Sequence, residues 1–169
     1  MQFKQSDVTV LAFPDNYFDV VFCECALCLF ADAAAALSEF LRVLKPGGRL
    51  AISDVVVNKL IPTELIDPLG HALCISGARS ADAYKNLITQ AGFVTLRFKD
   101  VSTVLLDMVG RIEKRLHFAD VLVELNKFGL AGSVGDSQQI LQAARDFIVS
   151  QGAGYALFVA RKPRSGSSA

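Results

Sequence analysis

The side chains best able to do chemistry in this chain are its four cysteines: Cys23, Cys25 and Cys28, crowded together, and Cys74 further on. A thiolate is both a nucleophile and a soft ligand, so such a cluster invites a chemical reading. The cysteines are unevenly spaced and the opening MQFKQSDVTV has no apolar export core, which predicts a reducing, cytoplasmic setting and reduced thiols. By count the four could hold zinc. Cys-x-Cys-x-x-Cys running out of an apolar stretch is not knuckle spacing, however, and no metal is predicted. Cysteine also ranks among the most buried residue types, and Cys23 and Cys28 read first as small packed hydrophobes. Of the two histidines, His117 falls beside the apolar stripe of a helix and reads as structural; His71, close to Cys74, is a weaker cleft candidate.

The stretch from Phe13 to Val55 must position these residues. The turn signal Pro14-Asp15-Asn16 opens into Phe18-Asp19-Val20-Val21-Phe22, whose apolar residues do not alternate with polar ones. That pattern predicts a strand buried on both faces, ending at the cysteine cluster. Asp32 can cap a following helix, in which Ala36, Leu37, Phe40, Leu41 and Leu44 form one apolar face and Ser38, Glu39 and Arg42 lie largely off it. Pro46 stops the helix, Gly47-Gly48 permit a turn, and a second strand, Leu50–Ile52, delivers Ser53 and Asp54. Strand, helix and strand in this order predict a parallel pair with a right-handed crossover.

Further along, 58–74 reads as a broken helical or loop segment interrupted by Pro68. Ser80 caps a helix over 81–91 with Tyr84, Leu87 and Ile88 on one face, and 93–98 reads as a strand. Leu105 to Val123 keeps the spacing of a long amphipathic helix, 128–136 reads as a loop, Ile140 to Ile148 as a helix, and Tyr155 to Ala160 as a final strand. Tyr84 and Tyr155 read as core. The sequence predicts one domain over 1–162 and a solvated tail over 163–169. With 17 basic and 17 acidic residues, the chain has no electrostatic footprint for nucleic acid or a membrane surface, and no apolar run long enough to span a bilayer.

Two words in this order carry a resemblance. AFPDNYFDVVF is similar to the approach to the fourth strand of class I S-adenosylmethionine-dependent methyltransferases, and FLRVLKPGGRLAISD to their next helix, turn and fifth strand. The resemblance covers residues 7–100 directly, and the closing strand Gly154–Lys162 is similar to the family's last. It implies an α/β, partial Rossmann-like three-layer sheet of parallel strands with a closing antiparallel strand. It also implies that the N-terminal cofactor-binding half, with its glycine-rich loop and ribose-binding carboxylate, is missing. Position by position, Asp7 matches the residue facing the adenine amino group, with Val8 beside it, and Cys23 and Glu24 match the end of the fourth strand, where methyl donor and substrate meet.

Within the family, CECALCLFAD and ALCISGARSADAYKNLITQAGF resemble the stretches in which arsenite methyltransferases place substrate-binding cysteines, with Cys25 and Cys74 at the matching positions. A trivalent arsenic centre prefers thiolates, and the carboxyl ends of strands face the ligand crevice of open α/β sheets. For Cys25 and Cys74, ligand and packed hydrophobe both stay open. Two functions follow. One is a methyltransferase, or its C-terminal fragment, acting on a small soft or thiol-related acceptor with S-adenosylmethionine as cofactor. The other is a non-catalytic remnant that serves as a binding module. Either leaves the face and edge of Phe18–Phe22 to a partner, most simply a second copy in a homo-oligomer.

Overall fold

The computed structural model describes residues 3–61, 77–126 and 134–164. Local chemistry starts two of the helices where the sequence says. The Asp32 carboxylate accepts the Ala35 N–H at 2.9 Å and opens α1 (Ala33–Val43). The Ser80 hydroxyl accepts the Ala83 N–H at 3.2 Å and opens α2 (Ala81–Gln90). Both caps satisfy backbone donors that the first helical turn leaves without partners.

Around these lie the strands β1 (Phe18–Glu24), β2 (Leu44–Val57), β3 (Val94–Asp100) and β4 (Ala153–Arg161), and the helices α3 (Ser102–Asn126) and α4 (Val134–Val149). The sheet order is β1-β2-β4-β3. β1 and β2 are parallel, with Glu24 opposite Ser53, and β4 runs antiparallel to both β2 and β3. β3 therefore points the same way as β1 and β2, and β4 is the reversed strand wedged between them. This is the predicted parallel framework with its closing antiparallel strand.

Alternation along β2 and β4 divides the molecule into three layers. Leu50, Ile52, Val56, Ala156, Phe158 and Ala160 face α1 and α2, where Leu37, Phe40, Tyr84 and Ile88 complete a core. Tyr84 lies against Phe158 with ring centroids 5.4 Å apart. Val55, Val57, Ala153 and Tyr155 face the other way, towards Leu105 and Val109 of α3 and Leu141, Ala144 and Ile148 of α4.

Three expectations are corrected. β1 is not buried on both faces: Val20 is 51% and Phe22 68% exposed. α3 and α4 pack over Val55, Val57 and Tyr155, at the far end of β2 and beginning of β4, and leave that face of β1 uncovered. The second strand begins at Leu44, straight out of α1, and absorbs the Lys-Pro-Gly-Gly word as an irregularity. Gly47 takes φ +78° there, and the β1 pairing jumps between Phe18 and Val20. Val134–Asp136, read as loop, opens α4.

Arg42 and Glu39, which lie off the helix stripe, tie the N-terminal segment down. Arg42 donates to the carbonyls of Leu11 and Phe13 at 2.9 Å each and to Asp15 at 2.7 Å, while Glu39 accepts the Leu11 N–H at 2.8 Å and pairs with Arg42 at 2.7 Å. These bonds hold the carboxyl of Glu39 below its usual range, with the Arg42 hydrogen bond the largest cause. Among the described residues no helix is long and apolar enough to cross a membrane.

Candidate functional site

β1 ends at Glu24, and the backbone then does something costly for a residue with a side chain: Cys25 adopts φ +47°. Two bonds hold the turn. The Cys25 N–H donates to the Ser53 carbonyl at 2.7 Å, and the Cys28 N–H donates to Asp54 Oδ2 at 3.0 Å. The Asp54 carboxylate is fully buried, and its other oxygen accepts the Val55 N–H at 2.9 Å. Two neighbouring residues at the end of β2 thus fix the path of the cysteine-bearing turn, one through its carbonyl and one through its side chain.

The turn separates the cysteines. Cys23 is 5% exposed and sits in the core with Leu37, Leu50 and Ile52; burial first, and the Asp54 charge second, push its thiol up to about 11. Cys28 is buried too, in the middle of a short helical turn, Leu27–Leu29. Cys25 is partly buried and packs on the opposite face, among Val55, Ala144 and Tyr155. Beside it the Tyr155 hydroxyl lies 3.2 Å from Ser53 Oγ. Burial is the main reason the phenol is held above its usual range, and the Cys25, Glu24 and Asp54 charges add to it. Glu24, exposed, completes this end of the sheet next to Ser53.

Asp7 and Val8 lie elsewhere, on the segment anchored by Arg42. Asp7 is exposed, and its Oδ1 accepts both the Thr9 N–H at 2.8 Å and the Thr9 hydroxyl at 2.7 Å, which lowers its pKa. Oδ2 of Asp7 has no hydrogen bond among the described residues. Val8 is partly buried against the α1 side of the core. Cys74 and His71 lie outside the described residues. Among the described residues no group of three or more His, Cys, Asp or Glu side chains is gathered as a metal site.

Tyr155, which reads as core in the sequence, packs against the clusters under α3 and α4 and is half-buried, with its hydroxyl at the Cys25 end of the sheet. A polar-tipped aromatic near the start of an antiparallel closing strand, beside the Ser53-Asp54 pair of β2, was the available signal. Val55 and Tyr155 are register partners, so the two sites were already paired by the topology.

A family model described as a methyltransferase domain matches residues 1–52. An arsenite methyltransferase from Halobacterium salinarum is 34% identical over 106 residues, covering 61% of this chain and 27% of that protein. The fold, with its reversed strand between the last two parallel ones, matches solved structures over nearly the whole chain. A phosphoethanolamine N-methyltransferase from Haemonchus contortus, in complex with S-adenosyl-L-methionine, aligns with TM-score 0.74 at 19% identity, covering 94% of this chain and 36% of that one. This is a class I methyltransferase fold. A [4+2]-cyclase, SpnF, shares it at TM-score 0.70 and 25% identity, over 96% of this chain and 56% of that one. The methyltransferase architecture therefore carries more than one chemistry, and the reaction has to be argued from the site. The chain spans about a quarter to about half of the length of the first curated relatives it matches.

Proposed function

We propose that this chain forms the acceptor side of an S-adenosylmethionine-dependent methyltransferase for a small, soft or thiol-binding acceptor of the arsenite type. The observation that carries the reading is Cys25. Its neighbours Cys23 and Cys28 are packed into the core, whereas it is held in a left-handed turn at the carboxyl end of a parallel strand, where open α/β sheets take their ligands. In this reading Cys25, with Cys74 as its expected partner, binds the soft centre of the acceptor through sulfur and fixes where its lone pair points. Asp7, through its uncommitted oxygen, and the Val8 backbone are the residues here that would receive an adenine ring, and Glu24 lies where donor and acceptor meet. Cys23 stays outside this set, as a packing residue behind the turn. S-adenosylmethionine, when bound, supplies a methyl group already activated on a sulfonium, so an acceptor with a lone pair needs positioning and no general base.

The same reading puts the protein in the reducing cytoplasm. A second reading, a binding module without chemistry, is favoured by one observation: β1 is an edge strand that exposes Val20 and Phe22. In that case a second copy covers them.

Arsenite titration, followed by the absorbance of arsenic–thiolate bonds, tests the first reading. Saturable binding should be lost in Cys25→Ser and Cys74→Ser and retained in Cys28→Ser. Equal effects of all three substitutions, or none, would remove it. Sedimentation tests the second: a dimer that Phe22→Lys converts to monomer supports it, and a monomeric parent sinks it.

A further inference from the structure

The turn that carries Asp7 and Val8 is bonded to itself. Asp7 Oδ1 accepts from Thr9, the Asp7 carbonyl accepts the Val10 N–H at 3.2 Å, and Ser6 Oγ donates to the Val10 carbonyl at 3.4 Å. Among the described residues the hydrogen bonds of 6–10 stay within that stretch. Apart from the packing of Val8, the turn joins the folded body at the next residue, Leu11, and α1 holds that peptide on both sides. The Leu11 N–H donates to Glu39 Oε2 at 2.8 Å, and the Leu11 carbonyl accepts from Arg42 Nη2 at 2.9 Å. Ahead of the turn, Lys4 Nζ comes back to the Ala12 carbonyl at 3.2 Å, so both flanks converge on the same place.

We infer that Glu39 and Arg42 are positioning residues for the adenine end of the methyl donor: by holding both sides of the Leu11 peptide they fix the turn that presents Asp7 and Val8. This rests on the reading of Asp7 and Val8 as the residues that receive the adenine ring. The two grips form one unit. Arg42 meets Glu39 fork on fork, Nε to Oε1 at 2.7 Å and Nη2 to Oε2 at 2.8 Å, which fixes direction as well as distance. Its Nη1 donates to the Phe13 carbonyl and to Asp15. With Leu11 these bonds engage all five N–H donors of the guanidinium, so Arg42 has none left for a ligand and acts through the segment alone. The platform is firm: Leu37, Phe40 and Val43 of the same helix are buried, and the Glu39 side chain is only 17% exposed. The carbonyls of Arg42 and Val43, left over at the end of α1, accept the Asn16 and Tyr17 N–H groups at 3.0 and 2.8 Å. The last turn of α1 thus orders the chain from Leu11 to Tyr17, and Leu11 passes that order on to the Asp7 turn. A turn held in one orientation loses less freedom when a flat ring docks on it.

The test is an NMR titration of the isotope-labelled chain with S-adenosylhomocysteine, read at the Val8 amide, together with amide hydrogen exchange at Leu11. Arg42→Lys keeps the charge and loses the fork. It should speed Leu11 exchange by about tenfold and raise the dissociation constant read at Val8 by about tenfold, with the β2 amides unchanged. Glu39→Gln keeps an acceptor oxygen for the Leu11 N–H and gives up the charge, and should change both by about threefold. Faster Leu11 exchange with unaltered affinity overturns the inference and leaves the adenine reading standing. Unaltered Leu11 exchange overturns it as well. So does exchange in β2 that rises in step with Leu11, which would report a general loosening of the fold. If Arg42→Lys does not fold, Glu39→Gln decides on the same two readouts. A parent chain without a saturable shift at Val8 removes the adenine reading itself, and the inference with it.

Discussion

The two faces of the sheet divide the work of the molecule. On the α1–α2 face, the core joins both helices to three strands and buries Leu37, Leu44, Tyr84 and Ile88 completely. On the other face α3 and α4 cover only the β2–β4 end. Their core residues retain slight exposure, Leu105 at 7% and Ile148 at 9%, and beyond them Val20 and Phe22 stand in solvent. The polar groups follow the same division. The buried face holds Cys23 and the Tyr84 hydroxyl where water does not reach, while the thinner face holds Cys25, Ser53 and Tyr155 only partly buried. Consecutive positions of one strand point to opposite faces, so the ends of β1 and β2 supply both environments at once. A small α/β sheet gains stability from one side and leaves part of the other side open to solvent.

The sharpest way to break this comparison is to delete equal volume from each face. Leu37→Ala removes a fully buried side chain from α1 and should cost about 3–5 kcal/mol. Leu105→Ala, in the thinner core, should cost about 2 kcal/mol, because a site at the rim can relax or admit water. Urea unfolding of both variants measures the difference. Equal losses would mean that the two faces stabilise the fold alike.

The denser face was also the more legible one in sequence. Asp32 and Ser80 as caps, the stripe of Leu37 and Phe40, and Tyr84 with Ile88 on α2 all occur where spacing and cap chemistry put them, because each is decided within a turn or two of chain. The open face was harder to read. Val20 and Phe22 look buried in a string of apolar residues, and nothing local says that the helices on their side stop at Val55. Tyr155 reads as core, an aromatic in an apolar strand, and it does pack against the α3–α4 clusters. That its hydroxyl reaches Ser53 depends on a pairing across 102 residues of chain. Arg42 was legible only as an off-stripe cation, since its partners at Leu11, Phe13 and Asp15 come from an irregular segment without periodicity. Cys23 and Cys25 form the intermediate case. The alternation of a strand separates odd from even positions, but both are odd; the left-handed turn at Cys25 sends them to opposite faces.

A pH titration sharpens the contrast at a smaller scale. The Cys23 thiol is raised from its ordinary 9.0 to about 11, and the Tyr84 hydroxyl is raised as well, chiefly by burial. In both groups the fold favours the protonated, neutral form. Below the unfolded-state value the stabilisation is fully present, because neither state has lost the proton; above it the unfolded chain ionises first and is favoured. The melting temperature should therefore hold up to about pH 9 and fall between about 9 and about 11. Cys23→Ala should flatten part of that fall. A decline that Cys23→Ala leaves unaltered would mean that burial of this thiol does not contribute to it.

The smallest effect expected is the one that the apolar sequence of β1 makes surprising. Phe22→Thr replaces a large hydrophobe in a strand centre, a change that in a two-sided sheet would cost several kcal/mol. Here the side chain is 68% exposed, so little apolar area returns to water on unfolding, and threonine retains the preference for extended backbone. Stability of the monomer should change by less than about 0.5 kcal/mol, as for a surface site. The measurement has a built-in contrast with concentration. A second copy over β1 would make Phe22→Thr costly in a way that grows with protein concentration, because the buried area would then lie between chains. A large, concentration-independent loss would instead mean that Phe22 belongs to a core within this chain, and the open face would not be open.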